Sequence, residues 1–405
     1  MSNFVSHGDE ASLRTNWVAV AVLILAAVAA AFQIGKAPAA LPVIRGELGL
    51  SLDQGVWVIS IFNLLGITLG MVAGALGDRL GHRRLIVVGF LAMAVASFAG
   101  AGSSGFTLLL LSRVLEGFGF IVVASVAPPM FLAASAPRHH RLIFGLYSGY
   151  WPAGVAAMIL VTPVVMEAIG WRGLWAINGV LMLLVLTLVL FVTQPASTHA
   201  TPPPFLQALR TFTRIGPMTL ALTFGAYSSI HVTVIALLPT FYIEAGFVGL
   251  GMASVLTALV AVVNVGGNVI AGIAMHRGGA RWFLVIGSFA LIIASAMLMY
   301  DDGLSFGVRL SAAIFLSFIA GMIPACLFVA TSIVAPSPSF VGATTGLMMQ
   351  GSQLGQLIGP VAMAWVVTNL GGWNFAPVPL VVAAVIGSAL MLVLRQIETR
   401  QLNQA

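Results

Sequence analysis

The sequence predicts an all-α membrane protein with twelve transmembrane helices in two pseudo-symmetric six-helix bundles, and three observations lead to this prediction. Apolar runs of about 20 residues, enough to cross the hydrocarbon layer as a helix, recur along the whole chain. Only 7% of residues are charged, whereas soluble domains carry about 25%. The two halves of the chain also repeat one short loop pattern. Ten-residue alternating segments, which are typical of membrane barrels, are not seen.

The apolar runs, separated by short polar loops, give the position of each span. The predicted spans are 17–40, 54–76, 85–103, 106–132, 143–165, 173–194, 216–240, 250–274, 282–299, 308–332, 342–367 and 377–394. They divide the chain into an N-terminal bundle (1–194), a cytoplasmic linker (195–215) and a C-terminal bundle (216–405). Within the linker, FLQALRTF is predicted to lie on the inner membrane surface as a short amphipathic helix.

The arginines predict how the chain is oriented. With the N-terminus inside, the inner loops and tails hold twelve arginines, and the outer loops hold only Arg45, Arg172 and Arg309. The positive-inside rule therefore places both termini in the cytoplasm of a multi-pass protein of the inner (plasma) membrane. Because these charges mark the loops, the formal charge of +6 does not indicate a nucleic-acid partner.

The sequence contains no phosphate-binding glycine loop, zinc-ligand spacing or nucleophile–base set. We therefore expect no enzyme activity, no cofactor and no metal. The expected partners are the lipid bilayer, a small-molecule substrate and protons, and the chain is expected to be a monomer.

An internal repeat relates the two halves. GALGDRLGHRR (74–84) follows the second span, and GIAMHRGGARW (272–282) follows the eighth. Four residues of the first loop match the second at a shift of 198, namely Gly74, Arg79, Gly81 and Arg83 with Gly272, Arg277, Gly279 and Arg281. Bundles repeated in this way place their binding site near the membrane midplane, between the repeats.

GALGDRLGHRR resembles the signature loop of the major facilitator superfamily, and RVLEGFG (113–119) resembles its fourth-span motif. The resemblance implies a transporter with a conformational latch formed by Gly74, Asp78, Arg79, Gly81 and Arg83. The alternative is that this loop sets topology alone.

Two further segments resemble the cyanate-permease-like branch of that family, SSIHVTVIALLPTFYIEAGF (228–247) and LMMQGSQLGQLIGP (347–360). The drug–proton antiporter branch usually has an acid in the first span and a Gly-Pro pair in the fifth. This chain has Lys36 and GYWPAG at those places.

Lys36, the only lysine of the chain, lies in an apolar run close to Pro38 and Pro42. Prolines interrupt the hydrogen-bond ladder of a helix, and irregular backbone at membrane depth lines a cavity or is buried in protein. We therefore expect Lys36 to face a cavity between the two halves and to bind an anionic substrate there. The alternative is a lysine that extends to the outer headgroups.

Three other ionisable residues are predicted inside spans, and each needs a partner or water. Arg113 and Glu116 share one helix face because they are three residues apart. One interpretation is a structural pair. The other is that Arg113 binds substrate and Glu116 carries a proton, since Glu116 is the only carboxylate predicted in the membrane. His231 is expected to bind substrate; the alternative is a histidine satisfied by a neighbouring hydroxyl or carbonyl.

Neutral polar and aromatic side chains complete the predicted substrate site. They are Asn63, Tyr150, Trp151, Gln350 and Gln353. For any one amide, hydrogen bonding between helices is the alternative role. The predicted function is a secondary active transporter that moves a small anionic or polar solute by alternating access, driven by protons or by anion exchange. The alternatives are a proton-coupled multidrug efflux pump and a non-transporting receptor of the same fold.

Overall fold

The computed structural model describes residues 15–193, 214–337 and 340–402, which are almost entirely helical. The first half contains α1 (Trp17–Leu48), α2 (Leu52–Ser60), α3 (Leu64–Leu80), α4 (His82–Ala101), α5 (Phe106–Ala134), α6 (His140–Ser148) and α7 (Tyr150–Val192). The second contains α8 (Ile215–Glu244), α9 (Leu250–His276), α10 (Arg281–Met299), α11 (Phe306–Ala320), α12 (Met322–Val334), α13 (Val341–Leu370) and α14 (Pro377–Leu402). The segment FLQALRTF and nearly all of the predicted linker lie outside the described residues.

The helices account for the twelve predicted spans. Within the described part of the chain, 10 helical segments are long and apolar enough to cross a membrane. One of them, α7, has 43 residues and is two helices joined by a kink at Gly170, where φ is 69° and ψ is 175°, so it accounts for two spans. The amide-bearing helix α13, 30 residues long, completes the set. The predicted fold class is confirmed.

The two halves meet along a few helices. Inside the first half α1 packs on α7 and α4 on α5, and inside the second α8 packs on α13. Between the halves, α1 lies against α8, α9 against α7, and α13 against α2 and α3. The interface is thus formed by α1, α2, α3 and α7 of the first half and by α8, α9 and α13 of the second.

The first span is a continuous helix, so the predicted break at its prolines was wrong. Pro38 and Pro42 lie inside α1, which runs to Leu48 instead of ending near residue 40. A proline removes one backbone hydrogen bond, and surrounding helices can stabilise the remaining ladder in a membrane. Packing here is close, since a Cβ at Gly35 would lie 2.6 Å from the Val155 carbonyl oxygen of α7.

The signature loop is shorter than predicted. Gly74, Asp78 and Arg79 lie within α3, and of these three residues the structure describes only the backbone. Gly81 alone makes the turn into α4, with φ at 93°, a value that favours glycine. Arg83 follows and donates from Nη2 to the Leu190 carbonyl of α7 at 2.7 Å.

The second copy of this loop makes an equivalent contact. Its left-handed glycine is Gly278 (φ 89°) and not Gly279, because the connection between α9 and α10 is longer. Arg281, which matches Arg83, pairs with Glu398 of α14 at 3.0 Å. In both halves this arginine therefore binds the last helix of its own bundle.

Candidate functional site

A buried ion-pair network lies inside the first half, where α1, α4 and α5 meet. Lys36 donates from Nζ to Oε1 of Glu116 at 2.6 Å, and Arg113 pairs with Oε2 of the same carboxylate. None of these three side chains is more than 1% exposed. With all three ionised, the network holds two cations and one carboxylate and carries one net positive charge.

Three neutral side chains surround the Lys36 ammonium group. Gln33 Oε1 accepts from Lys36 at 2.5 Å, and Ser97 Oγ lies 3.1 Å from the same nitrogen. Ser97 also donates to Glu116 Oε1 at 2.8 Å. The ring of Trp175 lies 4.5 Å from Lys36 Nζ, within cation–π range. The ammonium group is thus held by charge, hydrogen bonds and an aromatic face.

Arg113 is fixed by backbone groups as well as by its acid. Its Nε donates to the Val58 carbonyl at 2.8 Å, and its Nη1 donates to the Gln33 carbonyl at 2.7 Å. The guanidinium lies 4.7 Å from the ring centre of Phe62. Gly117, one turn further along α5, allows this approach, because a Cβ there would lie 1.8 Å from the Phe62 carbonyl oxygen.

The sequence marked Lys36 and placed Arg113 beside Glu116, but it did not indicate that Gln33, Ser97 and Trp175 join them in one network. Gln33 is one helical turn before Lys36 in α1, and this spacing was the only local signal. Ser97 and Trp175 come from other helices, and nothing in the local sequence marks them. Lys36 is buried, and its hydrogen-bond and cation–π partners all belong to the first half. Its role in substrate binding stays a prediction.

A second group of side chains faces the interface between the halves. Trp151 of α7 lies across from His231 of α8, with 6.3 Å between ring centroids. His231 stacks on Tyr227 at 5.8 Å with planes 8° apart. Its Nε2 lies 3.3 Å from Ser317 Oγ. A neighbouring hydroxyl of this kind was the predicted alternative to substrate binding by His231.

The glutamine side chains of α13 pack against two glycines of α3. A Cβ at Gly66 would lie 2.8 Å from the Gln353 side chain, and one at Gly70 would lie 3.6 Å from that of Gln350. Within the described structure, the Oε1 atoms of both glutamines are buried without a hydrogen-bond partner. Two acceptor oxygens are therefore available at this interface.

The remaining predicted site residues have partners nearby. The Asn63 amide lies 3.4 Å from the Ser60 carbonyl of its own segment. Tyr150 stacks on Tyr147 with 4.7 Å between ring centroids. We give the name central surface to five side chains that lie at or next to contacts between the two halves, namely Trp151, Tyr227, His231, Gln350 and Gln353. It offers aromatic rings and hydrogen-bonding groups. Among the residues that the structure describes, no cluster of three or more His, Cys, Asp or Glu is placed to hold a metal ion.

The match to a known family covers most of the chain. A family model described as Major Facilitator Superfamily matches residues 23–339. The chain belongs to the major facilitator superfamily. Solved structures show the same fold, among them a bacterial homolog of the human lysosomal transporter Spinster in an inward-facing and unoccupied conformation. That structure has a TM-score of 0.77 at 16% identity, covering 95% of this chain and 98% of that one.

Curated relatives of this superfamily member align over part of their length. The multidrug efflux pump LfrA of Mycolicibacterium smegmatis is 29% identical over 226 residues, 54% of this chain and 44% of the relative. The methyl viologen resistance protein SmvA of Salmonella typhimurium is 27% identical over 173 residues, 42% of this chain and 35% of the relative. The chain thus spans less than half the length of these relatives. The resemblance to the cyanate-permease-like branch stays a prediction.

Proposed function

We propose that this superfamily member is a proton-coupled secondary transporter whose exchangeable proton is held by the network of Lys36, Glu116 and Arg113. The observation that carries this proposal is a fully buried carboxylate between two cations. Ionisable groups inside a membrane are costly to bury and commonly mark ion or substrate pathways.

The net charge of the network favours reversible proton loss. With all three groups ionised the cluster carries one positive charge, and loss of one proton from the Lys36–Glu116 pair makes it neutral. Arg113 keeps its charge throughout, because guanidinium groups do not deprotonate in proteins. At a separation of 2.6 Å the proton belongs to the pair and not to one residue.

The helix that carries Lys36 links this network to the central surface. α1 packs on α5 inside the first half and on α8, which carries Tyr227 and His231, across the interface. A change of charge at the network changes the interactions of α1. Because α1 also contacts α8, the charge state biases the equilibrium between the two orientations of the halves.

The chemistry of the central surface supports a compact organic substrate with a planar ring and hydrogen-bond donors. The aromatic rings would stack on the ring, and the free oxygens of Gln350 and Gln353 would accept from its donors. The relatives named as resistance and efflux proteins support export. The arginine distribution supports cytoplasmic termini in the inner membrane.

Transport of a small anion is the second candidate. The excess of one cation in the network favours it, as does the resemblance of 228–247 and 347–360 to the cyanate-permease-like branch. In that case Lys36 would exchange its bond to Glu116 for one to the substrate.

Transport by purified protein in liposomes tests both candidates. Puromycin, which has planar rings and hydrogen-bond donors, serves as the probe of the first candidate, and cyanate and benzoate serve as probes of the second. We expect a pH gradient to drive accumulation of an organic probe by the wild type, and Glu116→Gln to remove that effect. A wild-type rate that does not respond to the gradient would overturn proton coupling. Movement of the anions alone would establish the second candidate.

A further inference from the structure

The two halves repeat an acid–indole pair at the ends of their first spans. Glu47, in the last turn of α1, accepts from Trp171 Nε1 at 2.6 Å. Glu244, at the end of α8, accepts from Trp373 Nε1 at 3.0 Å. The two acids are related by a shift of 197, as are Leu41-Pro42 and Leu238-Pro239. The repeat thus places the same pair at the same end of each bundle.

The indoles are also held in the same way. Trp171 directly follows Gly170 (φ 69°), and Trp373 directly follows Gly372 (φ 122°). A left-handed glycine turns the chain at each place and brings the ring back to the acid. Similar backbone geometry in both halves supports a common origin for the two pairs.

The cation that neutralises each acid differs. In the first half the residue after the indole is Arg172, which pairs with Glu47. In the second half the residue after the indole is Asn374, and Glu244 pairs instead with Arg45 of the first half at 2.5 Å. One acid is therefore neutralised inside its own bundle and the other across the interface.

Arg45 is held so that it reaches the other half. Its stem packs on α2, where a Cβ at Gly55 would lie 2.6 Å from Arg45 Cγ. The Arg45 side chain is 19% exposed and that of Glu244 is 37% exposed. The guanidinium group is thus directed from the first half toward the end of α8.

We propose that Arg45 and Glu244 form a latch that holds this end of the transporter closed and separates when the end opens. Rocking of two rigid halves preserves contacts within each half and breaks contacts between them. The Glu47–Arg172 pair stays intact in both states. This inference rests on the proposed two-state transport, and the proposed orientation makes this end the outer one.

Distances between spin labels test the latch without any substrate. Labels are attached at Ser104→Cys in the first half and Ser305→Cys in the second, with Cys326→Ala, in lipid nanodiscs. Glu244→Gln removes the charge but keeps an acceptor for Trp373. Because exposed ion pairs contribute modestly, we expect a two- to five-fold rise, roughly, in the population with long distances. The exchanged pair Arg45→Glu with Glu244→Arg restores the ion pair, although not the acceptor of Trp373, and should return the distribution toward that of the wild type.

Glu47→Gln is the matched control, since it removes the same charge at the same end but within one half. An unchanged distribution in Glu244→Gln, or an equal change in Glu47→Gln, would overturn the latch. The latch and the proposed function fail in different measurements. If the network does not couple protons, the label distances should still change in Glu244→Gln. If Arg45 and Glu244 do not form a latch, transport should still change in Glu116→Gln.

Discussion

Lys36 and Glu116 form a salt bridge of 2.6 Å between the first and fourth spans, with neither side chain exposed. Arg113 pairs with the same carboxylate from one helical turn away. A buried charge that loses its partner is costly, so this carboxylate governs both the stability of the first half and the proton that the network holds.

Removing the acid should destabilise the protein more than removing the lysine. Glu116→Gln leaves Lys36 and Arg113 without a counter-charge, whereas Lys36→Met leaves one balanced Arg113–Glu116 pair. We expect a loss of about 3–5 kcal/mol for Glu116→Gln and less than half of that for Lys36→Met. Thermal unfolding of both purified variants measures the difference. Equal losses would show that net charge does not control stability here.

The Ser97 hydroxyl should tune the pH dependence of transport. Ser97 Oγ lies 2.8 Å from Glu116 Oε1 and 3.1 Å from Lys36 Nζ, so Ser97→Ala removes a hydrogen-bond partner of both members of the pair. The midpoint of the pH–rate profile should therefore differ from that of the wild type. The measurement is transport into liposomes at graded pH.

Ser112→Ala is the control for this experiment. Ser112 is also buried, but its hydroxyl donates to the Leu109 carbonyl of its own helix at 2.6 Å. Its removal should leave the midpoint unchanged. A shift as large as that of Ser97→Ala would show a general effect of packing.

Trp151 should contribute to substrate affinity through its ring. Trp151→Ala should raise the KM for puromycin about two- to ten-fold, because an aromatic pair contributes roughly 0.5–1.5 kcal/mol beyond its buried area. Trp365→Ala serves as the comparison, since that side chain is 57% exposed on α13. Initial transport rates measured over a range of puromycin concentrations give the KM of each variant. Equal KM changes would argue against binding at the central surface.

Close packing at Gly117 should be essential to the position of Arg113. Gly117→Ala places a methyl group 1.8 Å from the Phe62 carbonyl oxygen, so α5 must move. We expect a loss of about 1–3 kcal/mol. Gly287→Ala meets no atom within 4 Å and should be neutral or slightly stabilising. Thermal unfolding compares the two, and similar melting temperatures would refute the packing argument.

Local patterns predicted the spans and the loop repeat, because both follow from runs of neighbouring residues. They also placed Arg113 beside Glu116, a contact set by helical spacing. They did not find the bond between Lys36 and Glu116, which joins residues 80 apart in the chain. Only the packing of α1 on α5 decides that contact.

The prolines of α1 and the contacts between the two halves also depend on helix packing, which local sequence patterns do not predict. Pro38 indicated a broken helix, yet α1 is continuous because the helices around it stabilise the ladder. The contact of Gln353 with Gly66 and the bridge from Arg45 to Glu244 depend on how the two halves are placed. No local pattern contains that information.

The lone lysine allows the most direct test of proton exchange in the network. Protein labelled with ¹³C at lysine Cε gives one side-chain signal, because Lys36 is the only lysine of the chain. In nanodiscs we expect this signal to respond reversibly as the pH is varied, and to respond differently in Glu116→Gln. A lysine signal that does not respond to pH and is the same in both proteins would contradict the account.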